Sequence, residues 1–238
     1  MSRCEVQRVI CPACGAGRET KVFLSVNGAR IKSAADRLID GSWGLVCCLK
    51  CGADYYRPAP RLFTDIPGRL WIVRYDSAER TRCTLLEEEA NQVFEREWLE
   101  RPPAAIRDQA RSVQRRVCFG YAQLREKLLL RRHGIDDRTM ECVKLVVMRE
   151  YVRDLFALGP AEFYVHRIEP DCIGMAAVSI GETRAILDLT VERSMLEEMV
   201  QDAERFHEVY PELFDKLYVN ASRYVTESAV DEVSVSSR

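Results

Sequence analysis

Two short cysteine knuckles constrain this chain more than any other feature: Cys11-Pro12-Ala13-Cys14-Gly15 and Cys48-Leu49-Lys50-Cys51-Gly52. A two-residue spacer lets both sulfurs of a knuckle reach one ion. A glycine directly after can take the positive φ that turns backbone N–H groups toward those sulfurs. The spacing therefore predicts a tetrahedral thiolate site made by Cys11, Cys14, Cys48 and Cys51. Zinc is the default occupant, because a d¹⁰ ion demands no more than four ligands, although mononuclear iron accepts the same donors. Four protein ligands close the shell, so one ion in a structural role is expected. Disulfides or a redox Cys-x-x-Cys are the alternatives, but a redox motif occurs once beside a βαβ pattern and is not duplicated with matching glycines. Cys47 adjoins Cys48, yet only Cys48 restores the spacer, so Cys47 is expected on a strand facing a small core.

The gap between the knuckles, residues 15 to 47, exceeds the ~15–20 residues of a common zinc ribbon, so further structure is folded inside it. A strand is predicted over Lys21 to Val26, then an Asn27-Gly28 turn, a short helix opened by Ser33 with Asp36 and closed by Gly41, and a strand from Trp43 to Cys47. Tyr55-Tyr56, Leu62-Phe63 and Leu70 to Val73, separated by Pro58, Pro60 and Pro67-Gly68, then close an antiparallel module near residue 75.

Farther on, Cys83, Leu86, Ala90, Val93 and Phe94 recur at helical steps within Glu79 to Leu99, up to Arg101-Pro102-Pro103. A strand is predicted from Val113 to Phe119, a helix through Tyr121, Leu124 and Leu128 to Gly134, and another from Asp136-Asp137 through Leu155 to Gly159-Pro160. Phe163 to Ile168, Cys172 to Ile180 and Arg184 to Leu189 read as an antiparallel meander with turns at Glu169-Pro170-Asp171 and Ile180-Gly181-Glu182, and Ser194 with Glu197 reads as a capping box. The predicted class is α+β: an N-terminal antiparallel zinc-ribbon-like module with a helical insert (1–75), packed on a C-terminal α+β domain (76–225), with a polar tail (226–238) expected to be disordered.

At 238 residues and 47% hydrophobic, the chain can bury a real core. No apolar run approaches the ~18 residues of a membrane span and the start has no signal-peptide core, so a cytoplasmic protein with no membrane partner is expected. Cys4, Cys83, Cys118, Cys142 and Cys172 then read as free thiols. A net charge of −2 gives the whole molecule no electrostatic pull toward nucleic acid. Its distribution is uneven: residues 101–132 hold nine bases against two acids, and residues 188–238 hold twelve acids against five bases, which can neutralise one another within the fold or between subunits.

A family resemblance attaches to specific residues. The first knuckle, the Asp40-Gly41 helix end, Cys48 and Cys51-Gly52, and Leu62-Phe63-Thr64-Asp65 leading to Leu70-Trp71-Ile72-Val73 make residues 9 to 75 resemble the CpXC domain, a bacterial and archaeal module. Gly134-Ile135-Asp136-Asp137-Arg138 and Tyr218-Val219-Asn220 are similar to longer members. Leu49 stands where the family's second knuckle can carry proline, and Thr64 where members often carry histidine. The resemblance implies the metal site and the architecture, and it implies no substrate.

Catalytic motifs are missing from the sequence. His133, His166 and His207 form no metal-binding pair, and there is no phosphate loop, nucleophile elbow or dinucleotide fingerprint. The leading expectation is a non-catalytic zinc-binding scaffold or regulatory adaptor that contacts a protein partner or a second copy of itself. One alternative is a nucleic-acid-binding zinc ribbon, with twelve bases against six acids up to residue 75 and Trp43, Tyr55, Tyr56, Phe63 and Trp71 for stacking. The other is an enzyme whose site is assembled from residues distant in sequence.

Overall fold

The computed structural model describes residues 2–150, 161–179 and 185–224. The chain divides into two compact units, residues 1–128 and 129–238.

In the first unit, strands β1 (Arg3–Ile10) and β2 (Gly17–Asn27) form an antiparallel hairpin, and β3 (Leu45–Cys47) with β4 (Asp54–Tyr56) forms a shorter one. Strands β5 (Leu62–Asp65), β6 (Leu70–Tyr75) and β7 (Gln114–Phe119) extend the first hairpin into a five-stranded sheet of order β1-β2-β5-β6-β7. The sheet is mixed, not antiparallel as expected, because β2 pairs with β5 and β6 with β7 in parallel. Nor does it close at residue 75. Strand β6 is buried along both faces, and a strand covered on both sides must also have its edges paired. Its second partner returns through intervening helices, a crossover that hydrophobic periodicity does not record.

Between β2 and β3 lie helix α1 (Ala34–Ile39) and a 3₁₀ turn over Ser42–Gly44. Ser33 sits at the N-cap of α1, its carbonyl accepting the Arg37 N–H at 3.0 Å but its side chain making no cap bond, and Gly41 past the C-terminus is left-handed at φ 81°. Gly44 is required by close approach: a Cβ there would lie 2.8 Å from the Arg57 carbonyl oxygen, while its own carbonyl accepts the Arg57 N–H at 2.8 Å. The end of α1 is tied down from a distance. The Tyr121 hydroxyl donates to the Leu38 carbonyl and the Arg125 guanidinium to the Ile39 carbonyl, two groups that a helix C-terminus leaves without internal partners.

Helix α2 (Cys83–Phe94) buries Leu86, Ala90 and Phe94, as its periodicity predicts, but leaves Val93 of the predicted face exposed; Phe94 meets Trp71 edge to face with ring centroids 5.2 Å apart. It is preceded by a 3₁₀ turn opened by a capping box between Asp76 and Glu79, and followed by a π-helical turn over Glu95–Glu100. Helices α3 (Ala104–Arg111) and α4 (Gly120–Arg132) flank β7 in sequence.

The second unit contains α5 (Asp137–Glu150), strands β8 (Ala161–Ile168), β9 (Cys172–Ser179) and β10 (Ala185–Glu192), and helices α6 (Ser194–Gln201), α7 (Ala203–Val209) and α8 (Pro211–Asp215). The three strands form the expected antiparallel meander, ordered β10-β9-β8. Ser194 makes no capping box; it is the first residue of α6, and its hydroxyl donates to the Glu192 carboxylate at 3.3 Å. Asp136 does act at the start of α5, its side chain accepting the N–H groups of Arg138 and Thr139. Glu141 and Lys144 pair at 3.0 Å with both side chains fully buried, and the other Glu141 oxygen accepts the Ala221 N–H at 2.8 Å. The predicted extension of α5 through Leu155, the 180–182 turn and the tail over 226–238 lie outside the described residues. Among the described residues no helix is long and apolar enough to cross a membrane.

Candidate metal centre

Each knuckle is the turn of a hairpin. Residues 11–16 connect β1 to β2, and residues 48–53 connect β3 to β4. The two turns repeat one hydrogen-bond pattern: Cys11 N–H donates to the Ala16 carbonyl and Gly15 N–H to the Cys11 carbonyl, while Cys48 N–H donates to Ala53 and Gly52 N–H to Cys48, all at 2.9 Å. Gly15 and Gly52 have φ of 70° and 75°, the left-handed conformation that a side chain at either position would strain.

The tips bring the four sulfurs together. Sγ of Cys11, Cys14, Cys48 and Cys51 all lie within 4.8 Å of one another, a cluster that can hold a metal ion. Metal–sulfur bonds of ~2.3 Å place the corners of a tetrahedron ~3.8 Å apart. Across the two knuckles, Cys11 Sγ is 3.8 Å from Cys51 Sγ and Cys14 Sγ is 3.7 Å from Cys48 Sγ. The donor set and its spacing therefore fit a four-coordinate, thiophilic ion.

Shielding of the sulfurs is uneven. Cys11 and Cys48 are buried in a small core with Tyr55, packed by Val9, Ala16 and Val46, whereas Cys14 is half-buried and Cys51 exposed. Backbone N–H groups of Cys51 and Lys50 point at the Cys48 sulfur and hold its thiol down at about 6, against the usual 9.0. At Cys51 the Ala53 N–H favours the thiolate, but the neighbouring sulfurs of Cys14, Cys48 and Cys11, together with desolvation, outweigh it and push the thiol up to about 12. Four thiolates this close cannot all ionise against one another; a dication at their centre would supply the missing charge.

Two contacts set the hairpins relative to each other. The Arg57 guanidinium, just past β4, donates to the Lys21 carbonyl on β2 at 2.6 Å and to the Thr20 hydroxyl at 3.4 Å. Phe23 of β2 meets Trp43 edge to face at 5.3 Å, with the Arg37 guanidinium over the indole. Arg57 did not stand out in the sequence, because an arginine near a proline run carries no periodic signal, and Tyr55, read there as a strand residue and a stacking candidate, instead packs against the buried sulfurs.

Cys47 behaves differently from expectation. It is exposed rather than facing a core, and its thiol points to the Gly52 carbonyl at 3.4 Å, outside the four-sulfur cluster. The alternation along β3 puts Val46, not Cys47, on the side of Tyr55. Thr64, at the position where histidine was a point of comparison, is buried in β5 and donates to the Val26 carbonyl at 3.4 Å. His166 pairs with Asp188 and His207 with Asp215, each at 3.0 Å and partly exposed to solvent. Part of the basic run over 101–132 is internal to the fold, while Arg101, Arg111, Arg131 and Arg132 are exposed. Arg116 and Lys127 are buried, Arg125 holds α1, and Arg115 donates to Asn91 and lies over the Phe94 ring.

Compared with known families, residues 9–144 match that of the CpXC protein. This chain belongs to the CpXC family. The match covers both knuckles and reaches past β7 into α5, so the CpXC pattern takes in the whole five-stranded sheet beyond β1, including the strand that the spacing of turns had left outside the module. No curated protein and no solved structure matches this CpXC chain.

Proposed function

We propose that this CpXC protein is a non-catalytic scaffold or regulatory adaptor whose cysteine cluster holds one structural zinc ion and whose surfaces engage a protein partner or a second copy of the chain. The observation that carries the reading is the closed donor set. The cluster consists of four cysteine sulfurs at tetrahedral spacing, and an ion bound by all four has no open position for water or substrate. The small hairpin β3–β4 pairs only three residues with three, too little to persist in water without a cross-link at its turn.

The second hairpin also presents apolar side chains outward. Leu45 and Tyr56, directly opposite each other across β3 and β4, are exposed, and Leu49 at the knuckle tip is 84% exposed. Exposed apolar side chains at both ends of a short hairpin suit contact with an apolar protein surface. The nucleic-acid reading has less support, because Trp43, Tyr55, Phe63 and Trp71 are buried and among the five stacking candidates only Tyr56 faces solvent.

Elemental analysis of purified protein combined with co-purification from native cells tests both halves of the reading. The expected result is close to one zinc per chain, lost in Cys11→Ser and Cys48→Ser, and a recovered partner or self-association that Leu49→Glu weakens. Iron in place of zinc would overturn the metal assignment, and turnover of any substrate at the cluster would overturn the structural role. Monomeric protein without partners would overturn the adaptor role.

A further inference from the structure

A second candidate site lies entirely within residues 129–238. Helix α5 on one side and the α6–α7 run on the other enclose a half-open cavity of about 290 Å³. Its walls are apolar: Leu145 and Val146 from α5, Met199 from α6, Phe206 and Val209 from α7. Among the described lining residues, charge enters at Arg149, Arg205 and Asp202, two cations against one anion. All three are exposed and take no side-chain hydrogen bond or ion pair among the described residues.

We infer that this cavity binds a small amphiphilic anion, an apolar or aromatic chain ending in a carboxylate. A space of this size sits near the lower end of ligand pockets, generally ~300–1,000 Å³, and holds a body of roughly a dozen non-hydrogen atoms. The apolar walls strip that body of water, and the net positive rim recognises the head group. A guanidinium binds a carboxylate through parallel N–H donors, and here two guanidiniums have no side-chain acceptor among the described residues. A purely apolar ligand would leave both arginines unused, and a cationic ligand would face them across a low-dielectric wall. The pair Phe206 and Tyr210, ring centroids 6.0 Å apart, favours an aromatic body over an extended aliphatic one. The inference does not depend on the metal centre.

The test is isothermal titration calorimetry on the full-length, metal-containing protein with 4-phenylbutyrate and its uncharged counterpart, 4-phenyl-1-butanol. The acid should bind at one site per chain and the alcohol about tenfold more weakly. The double substitution Arg149→Gln/Arg205→Gln should weaken the acid about tenfold and leave the alcohol unchanged. Asp202→Asn, which removes the opposing charge, should tighten the acid. Val146→Trp, which fills the cavity, should abolish both; the charge variants lie on the surface and keep the test valid where that large residue disturbs folding. Equal binding of acid and alcohol, indifference of the acid to both arginines, or no binding at millimolar concentration would each overturn the inference.

Discussion

At the scale of single residues, the knuckles separate ligands from neighbours. Cys47 lies next to a ligand in sequence, but its sulfur is turned to the Gly52 carbonyl, so Cys47→Ser is expected to keep the full metal content of the wild type by elemental analysis. Cys48→Ser is expected to lose it, and because structural zinc contributes on the order of 10 kcal/mol to a small fold, to unfold the β3–β4 hairpin with it. Gly44 gives a different kind of sensitivity. The atom that a Cβ would strike is a backbone oxygen, which cannot rotate away, so Gly44→Ala should lower stability by about 1–3 kcal/mol in a denaturant titration of the intact chain.

At the scale of elements, the two units are held by different polar devices. Tyr121 donates its hydroxyl to a carbonyl at the end of α1, and Tyr121→Phe should cost about 1 kcal/mol by leaving that carbonyl with one partner fewer. The buried Glu141–Lys144 pair is more demanding. Removing the ammonium in Lys144→Met leaves a carboxylate in the core whose other oxygen already serves the Ala221 amide, and the expected loss is about 3–5 kcal/mol. Thermal unfolding followed by circular dichroism measures both. The meeting of four sulfurs was legible in sequence, since four residues of one chemistry at fixed spacing leave few arrangements. The meander and α2 were legible too, because periods of two and of three to four residues record which face is covered. The parallel pairing of β7 with β6 was not, because its register is decided by contacts across about forty residues. The capping boxes were read in the wrong place for a related reason. Ser194 stands three positions before Glu197, but Glu192 takes its hydroxyl, whereas Asp76 and Glu79, where the predicted helix begins, close their box although Arg74 also donates to Asp76 at 2.9 Å.

At the scale of the whole molecule, the metal cluster and the cavity belong to different units, which makes their contributions separable by experiment. Hydrogen exchange measured before and after adding a strong zinc chelator should show loss of protection at residues 11–16 and 48–53, while the amides of β8 and β9 keep theirs. Exchange that rises equally across both regions would mean that the ion stabilises the entire chain.

The uneven shielding of the four sulfurs has a kinetic consequence. Cys11 is sealed beneath the tips, whereas Cys51 is open to solvent. An ion seated there would be most open to a competing ligand at Cys51 and least at Cys11 and Cys48, so the first arm to let go would be the one that water already reaches. How long a bound ion would stay is then governed less by the number of bonds than by how quickly a single thiolate, once displaced, finds its way back.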